Sequence, residues 1–129
     1  MEAGSCCCGN NGETLIFTCA GASHTGQVAN RAGVQAMQQG VGNLFCVAAV
    51  AADVPDKMDR TRKAGKRIVI DGCDDHCARK ILDKAGMTVD AHIVLTDMGI
   101  EKKPAQPDII GDTKKVTDKV KAAVAAFSS

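Results

Sequence analysis

The sequence predicts an α/β fold, a three-layer Rossmann-like sandwich with about four parallel strands. Short apolar runs rich in β-forming residues alternate along the chain with segments of helical periodicity. This order predicts helical crossover connections between parallel strands. The apolar runs are almost continuous, which is typical of strands covered by helices on both faces of a sheet. Neither observation predicts the order of the strands within the sheet.

The predicted strands and helices form successive units after an N-terminal segment. The strands are expected at residues 14–18, 43–48, 67–70 and 92–96. The helices are expected at residues 27–39, 55–64, 74–85 and 112–127, with a loop at residues 99–111. Gly40, Gly65 and Gly86 end the first three helices, and Pro55 opens the second. Together these units predict one α/β domain at residues 13–129.

The N-terminal segment lacks the periodicity of a strand or a helix. We expect residues 1–12 to form a flexible tail that carries Cys6, Cys7 and Cys8. These cysteines could bind metal, pass metal to another site or act as redox thiols, and a tail without a specific role is the alternative. The sequence does not choose among these roles.

Composition and charge exclude several partners. Aromatic residues make up 2% of the chain, with no Trp or Tyr, which leaves no platform for stacking bases. The formal net charge of +1 predicts no basic surface, so we expect no nucleic-acid partner. The longest apolar run, residues 44–52, is too short for a membrane helix, and no basic segment followed by an apolar one opens the chain. We therefore expect a cytoplasmic protein that binds no membrane.

Seven cysteines in 129 residues are the unusual feature of the composition. In a reducing compartment such a density is typical of metal binding or redox chemistry. Cys19, Cys46 and Cys73 fall at or near the carboxyl ends of predicted strands, at intervals of 27 residues. Because the carboxyl ends of parallel strands meet at one edge of a sheet, where α/β folds bind ligands, these cysteines can converge.

Cys77 joins the other three because it follows Cys73 by four residues, on the first turn of the predicted third helix. Four thiolates at one sheet edge match a tetrahedral zinc site, and helix N-termini stabilise their negative charge. Asp71 is expected to turn the backbone and cap that helix. The alternative is a set of ordinary buried cysteines, an interpretation that fits Cys46 among its apolar neighbours.

Three stretches resemble a known family. The segment CAGASHTGQVAN at residues 19–30, Cys46, and the segment IDGCDDHC at residues 70–77 are similar to the DGC-domain family of zinc-binding proteins, named for its Asp-Gly-Cys motif. The resemblance runs from about residue 14 to about residue 103 and includes IVLTDMGIEKK at residues 93–103. It implies a zinc site of four cysteines, which here are Cys19, Cys46, Cys73 and Cys77, and it implies no particular reaction.

Two histidines and one loop leave further alternatives open. His24 follows Cys19 in a loop and His76 lies between Cys73 and Cys77, so either could be a metal ligand, a proton donor or a polar loop residue. The loop at residues 20–26 leads from a strand into a helix and could hold an anion. It lacks both the Gly-x-Gly-x-x-Gly pattern and the lysine of a phosphate-binding loop.

These observations favour a zinc-binding protein whose metal is structural, sensed, stored or delivered, because four cysteines leave no open position for a substrate. The expected partners are a zinc ion and an unidentified protein. A thiol-based redox or persulfide enzyme that uses the same cysteines is the alternative. A small-molecule or anion binder that uses the loop at residues 20–26 is the third hypothesis, and the sequence does not say whether the protein is an enzyme.

Overall fold

Four parallel strands form the central sheet of the computed structural model, which describes residues 12–127. They are β1 (Thr14–Thr18), β2 (Asn43–Leu44), β3 (Lys66–Asp71) and β4 (Ala91–Val94), in the order β2–β1–β3–β4. The longest pairing joins β1 to β3 over the whole length of β1. This all-parallel sheet with flanking helices confirms the predicted Rossmann-like α/β fold.

Helices cover both faces of the sheet. The α-helices of the described residues are α1 (His24–Gln38), α2 (Val47–Ala51), α3 (Pro55–Lys63), α4 (Cys77–Lys84) and α5 (Ile110–Phe127). Successive residues of a strand point to opposite faces. Ile16 and Ile68 therefore pack with α1 and α5, whereas Leu15 and Val69 pack with α2 and α4. The two apolar clusters give the molecule its three layers.

The prediction of a strand at residues 43–48 is wrong at the carboxyl end of that strand. β2 stops at Leu44, and α2 begins at Val47. Three of the five residues of α2 are alanine, the strongest helix former, and the Ala49 N–H bonds the Cys46 carbonyl at 3.2 Å. Cys46 therefore precedes a short helix and does not lie within a strand.

Two helices begin at residues that differ from the predicted ones. α1 begins at His24, three residues early, because the Ser23 hydroxyl accepts the N–H of Gly26 at 3.1 Å and caps the helix. α4 begins three residues late, at Cys77, because residues 72–76 form a turn. The remaining boundaries lie within two residues of the predicted ones, and a 3₁₀-helix at Leu95–Met98 follows β4.

The predicted tail at residues 1–12 lies outside the described residues except for Gly12. The flexible tail and the roles of its cysteines therefore remain predictions, and so does the division into a tail and one domain. Within residues 12–127, no helix combines the length and the apolar character needed to cross a membrane.

Leu82 and Ile110 provide a matched test of the core. Leu82 is fully buried in α4, whereas Ile110 in α5 is 78% exposed. We expect Leu82→Ala to lower the free energy of unfolding by about 2–5 kcal/mol, because it removes apolar contacts and leaves a cavity. Ile110→Ala should change that free energy by less than about 0.5 kcal/mol. Urea unfolding followed by circular dichroism measures both, and equal losses would contradict the placement of Leu82 in the core.

Candidate functional site

A pocket lies where the two central strands end. β1 and β3 are neighbours, but the chain leaving β1 enters α1 on one face of the sheet and the chain leaving β3 enters α4 on the other. Such a switch point leaves a crevice in which α/β sheets bind ligands. The pocket here has a volume of about 270 Å³ and is lined by residues 19–23, 25–26, 71–73 and 75–77 and by Lys102.

Three of the four cysteines predicted as ligands line this pocket. Cys19 comes from the loop after β1, and Cys73 and Cys77 come from the segment after β3. Cys46 is exposed at the start of α2 and is not among the described residues that line the pocket. All four thiols are free of disulfides. Within residues 12–127, no three His, Cys, Asp or Glu side chains already lie together at metal-binding distances.

Cys19 is a half-buried thiol of the pocket. Its Sγ atom accepts a hydrogen bond of 3.1 Å from the Gly72 N–H, across the two loops. Burial raises the pKa of Cys19, the Gly72 N–H opposes that rise, and the nearby Asp71, Cys73 and Cys77 add to it as negative neighbours. Without a compensating cation, this environment favours the protonated thiol over the thiolate.

Gly72 allows the two loops to touch. A Cβ atom on Gly72 would lie 2.9 Å from the Thr25 carbonyl carbon and 3.0 Å from the Gly26 nitrogen, and both are backbone atoms. The Cys19 N–H also bonds the Ile70 carbonyl at 3.1 Å, which continues the pairing of β1 with β3 up to the pocket. The glycine of the Asp-Gly-Cys motif therefore has a steric role here.

Asp71 connects β3, β4 and α4. Its carboxylate is 1% exposed and accepts the N–H groups of Ala78 at 2.9 Å and Arg79 at 3.1 Å. The same carboxylate lies 2.8 Å from Nε2 of His92. These bonds hold the N-terminus of α4, and with it Cys77, against the end of β3. The predicted capping role of Asp71 is confirmed, although it acts from the preceding strand.

Lys102 reaches the pocket from the exposed segment at residues 101–108. Its Nζ atom donates a hydrogen bond of 3.4 Å to Cys73 Sγ and lies 3.7 Å from the Asp75 carboxylate. The hydrogen bond to Cys73 is the main reason that the pKa of Lys102 is raised. Lys102 is not among the residues predicted from the sequence, and its one signal there is its place inside the stretch that resembles the DGC family.

The structure separates the two histidines considered as ligands. His24 is buried between α1 and α5, where its Nε2 atom lies 2.7 Å from the Asp112 carboxylate, and it does not line the pocket. His76 lines the pocket, and its ring meets that of His92 edge to face at 4.9 Å between centroids. His76 also has a φ of 52°, in the left-handed region.

Gly72 can be tested against a second glycine. We expect Gly72→Ala to lower the free energy of unfolding by about 1–3 kcal/mol, because the new methyl group pushes against backbone atoms. Gly111→Ala is the control, since a Cβ at Gly111 meets no atom within 4 Å and alanine favours helix. Thermal and urea unfolding measure both variants. A Gly72→Ala protein as stable as Gly111→Ala would contradict the close contact of the two loops.

Comparison with known proteins places the chain in a family. It is 28% identical to the anaerobic and virulence modulator AnvM of Pseudomonas aeruginosa over 89 residues, which cover 69% of this chain and 68% of that protein. No solved structure matches the chain. The family model for the DGC domain matches residues 15–123, which contain the whole pocket. This chain therefore belongs to the DGC domain family.

Proposed function

We propose that this protein binds one zinc ion in the pocket and that the bound zinc serves a regulatory role. The observation that carries the proposal is the approach of three thiols from separate segments, Cys19, Cys73 and Cys77, to one pocket at the switch point of the sheet. Thiolates are the commonest ligands of structural zinc, and a soft donor set of this kind selects zinc over magnesium or calcium.

The chemistry of these residues fits a zinc ion. Three side chains that become negative on ionisation, Cys73, Cys77 and Asp71, oppose ionisation of Cys19, and a cation among them would remove that opposition. The turn at residues 72–76 and the exposed side chain of Cys77 leave room for the thiols to close around an ion. Zinc itself would supply strong thiolate coordination, with no redox chemistry of its own.

The fourth ligand expected from the sequence, Cys46, remains a prediction. Cys46 follows β2, the strand next to β1 at the edge of the sheet, so it lies at the same carboxyl edge as the pocket. It is exposed and belongs to the short helix α2, whose start would have to approach the pocket for Cys46 to bind the ion. The proposal needs three thiolates and is independent of this fourth position.

A regulatory role follows from where the site lies. Zinc bound by Cys19 and Cys77 would join the loop that leads into α1 to the start of α4, and these helices cover opposite faces of the sheet. Metal occupancy would therefore change how rigidly the two faces are held together, next to the exposed residues 101–108. The similarity to a protein named as an anaerobic and virulence modulator supports this role. The partner that would respond to the metal is an unidentified protein.

The metal is tested by elemental analysis and native mass spectrometry of the full chain, with Cys6, Cys7 and Cys8 replaced by serine in a second sample. We expect one zinc ion per chain in both samples. Cys73→Ala should lose the zinc, because the variant removes one of three thiolates, whereas Gly111→Ala should keep it. A metal-free protein with disulfides among the four predicted ligands would overturn the proposal, and iron with acid-labile sulfide would identify a cluster instead.

Thiol chemistry is the second candidate function. One observation favours it, the 3.4 Å approach of the Lys102 ammonium to Cys73 Sγ, since a neighbouring cation favours reaction at a thiolate. We expect iodoacetamide to modify Cys73 in the zinc-free reduced protein about two to five times faster than in Lys102→Met, with Lys103→Met as the exposed neighbouring control. Peptide mass mapping measures the rates, and equal rates in all three proteins would remove this candidate.

A further inference from the structure

We propose that the imidazole of His76 is the fourth ligand of the zinc ion, in the position that the sequence assigns to Cys46. This inference rests on the proposed function, because it concerns the same ion. It starts from the composition of the pocket wall, which includes His76 along with Cys19, Cys73 and Cys77 but does not include Cys46. Three cysteines and one histidine form an established donor set for structural zinc.

The buried carboxylate of the pocket is already engaged by other groups, and the second carboxylate is exposed. Asp71 accepts two N–H groups of α4 and faces Nε2 of His92, so its oxygens are already used. Asp75 lies 3.7 Å from the Lys102 ammonium. The ring nitrogens of His76, by contrast, make no hydrogen bond to any residue in the described part of the chain. His76 is therefore a pocket side chain with a free, neutral nitrogen donor for a metal.

The backbone and one neighbouring ring hold His76 at the pocket. Its left-handed conformation, with a φ of 52° and a ψ of 43°, ends the turn after Cys73 and starts α4. Its ring packs edge to face on His92, at an interplanar angle of 82°. His92 is fixed in turn by the buried carboxylate of Asp71. The ring contact with His92 therefore restricts the orientation of the His76 imidazole.

Charge also favours a neutral fourth donor. A zinc ion with three thiolates carries one net negative charge, and a fourth thiolate would add a second. The pocket wall already contains the carboxylates of Asp71 and Asp75, with Lys102 as its one lysine or arginine among the described residues. A neutral imidazole adds no charge to a half-buried site that is already negative, whereas the thiolate of Cys46 would increase the repulsion.

X-ray absorption at the zinc edge tests the assignment directly. The sample is the full chain with Cys6, Cys7 and Cys8 replaced by serine, so that these thiols cannot contribute sulfur. We expect three sulfur neighbours at about 2.3 Å and one nitrogen neighbour at about 2.0 Å. Cys46→Ser should leave the spectrum and the zinc affinity unchanged. The absorption spectrum of the cobalt-substituted protein provides a second measure of the number of thiolates.

His76→Asn removes the imidazole and keeps a residue that tolerates the left-handed conformation. We expect it to lose the nitrogen neighbour and to weaken zinc binding about tenfold or more in a chelator competition. Gly111→Ala, which lies outside the pocket wall, should change neither. If His76→Asn fails to fold, the spectra of the parent protein and of Cys46→Ser still decide the question.

Two results would overturn the assignment of His76, and only one of them would also overturn the proposed zinc site. Four sulfur neighbours in the parent protein, one of them lost in Cys46→Ser, would assign the fourth position to Cys46 and leave the proposed zinc site intact. A protein that takes up no zinc would overturn the proposed function and the role of His76 with it.

Discussion

The buried carboxylate of Asp71 is the interaction on which the geometry of the pocket depends. It lies at the end of β3 and accepts two N–H groups from the first turn of α4, while its third partner, the Nε2 atom of His92, comes from β4. Hydrogen bonds from three donors and the positive end of the helix dipole compensate for the burial of a charge. The position of Cys77, the first residue of α4, follows directly from this arrangement.

The chain after β1 meets the segment after β3 closely because Gly72 carries no side chain where they touch. Gly72 lacks the Cβ atom that would collide with Thr25, and its N–H bonds Cys19 Sγ instead. Ser23 caps α1 at the same loop, so that the chain turns into the helix immediately. Two loops that lead to opposite faces of the sheet are thus held against each other, and their cysteines share one pocket.

The electrostatics of this pocket explain why a cation is the expected ligand. Burial raises the pKa of Cys19, and three neighbouring groups add negative charge when ionised. Lys102 offsets part of that charge from the exposed segment beside the pocket. A zinc ion would neutralise more of this negative charge. It would also connect the loop that leads into α1 to the start of α4. The proposed coordination and the coupling of the two faces would therefore follow from the same arrangement.

Local patterns in the sequence determine the fold class, since apolar runs such as residues 67–70 reflect burial of each strand on both faces. They also place Cys19 and Cys73 at one edge, because parallel strands end on the same side of a sheet. Only the tertiary structure decides the strand order, the absence of Cys46 from the pocket wall, and the approach of Lys102 to Cys73, 29 residues away. These features depend on contacts between distant segments, which local propensity and periodicity do not encode.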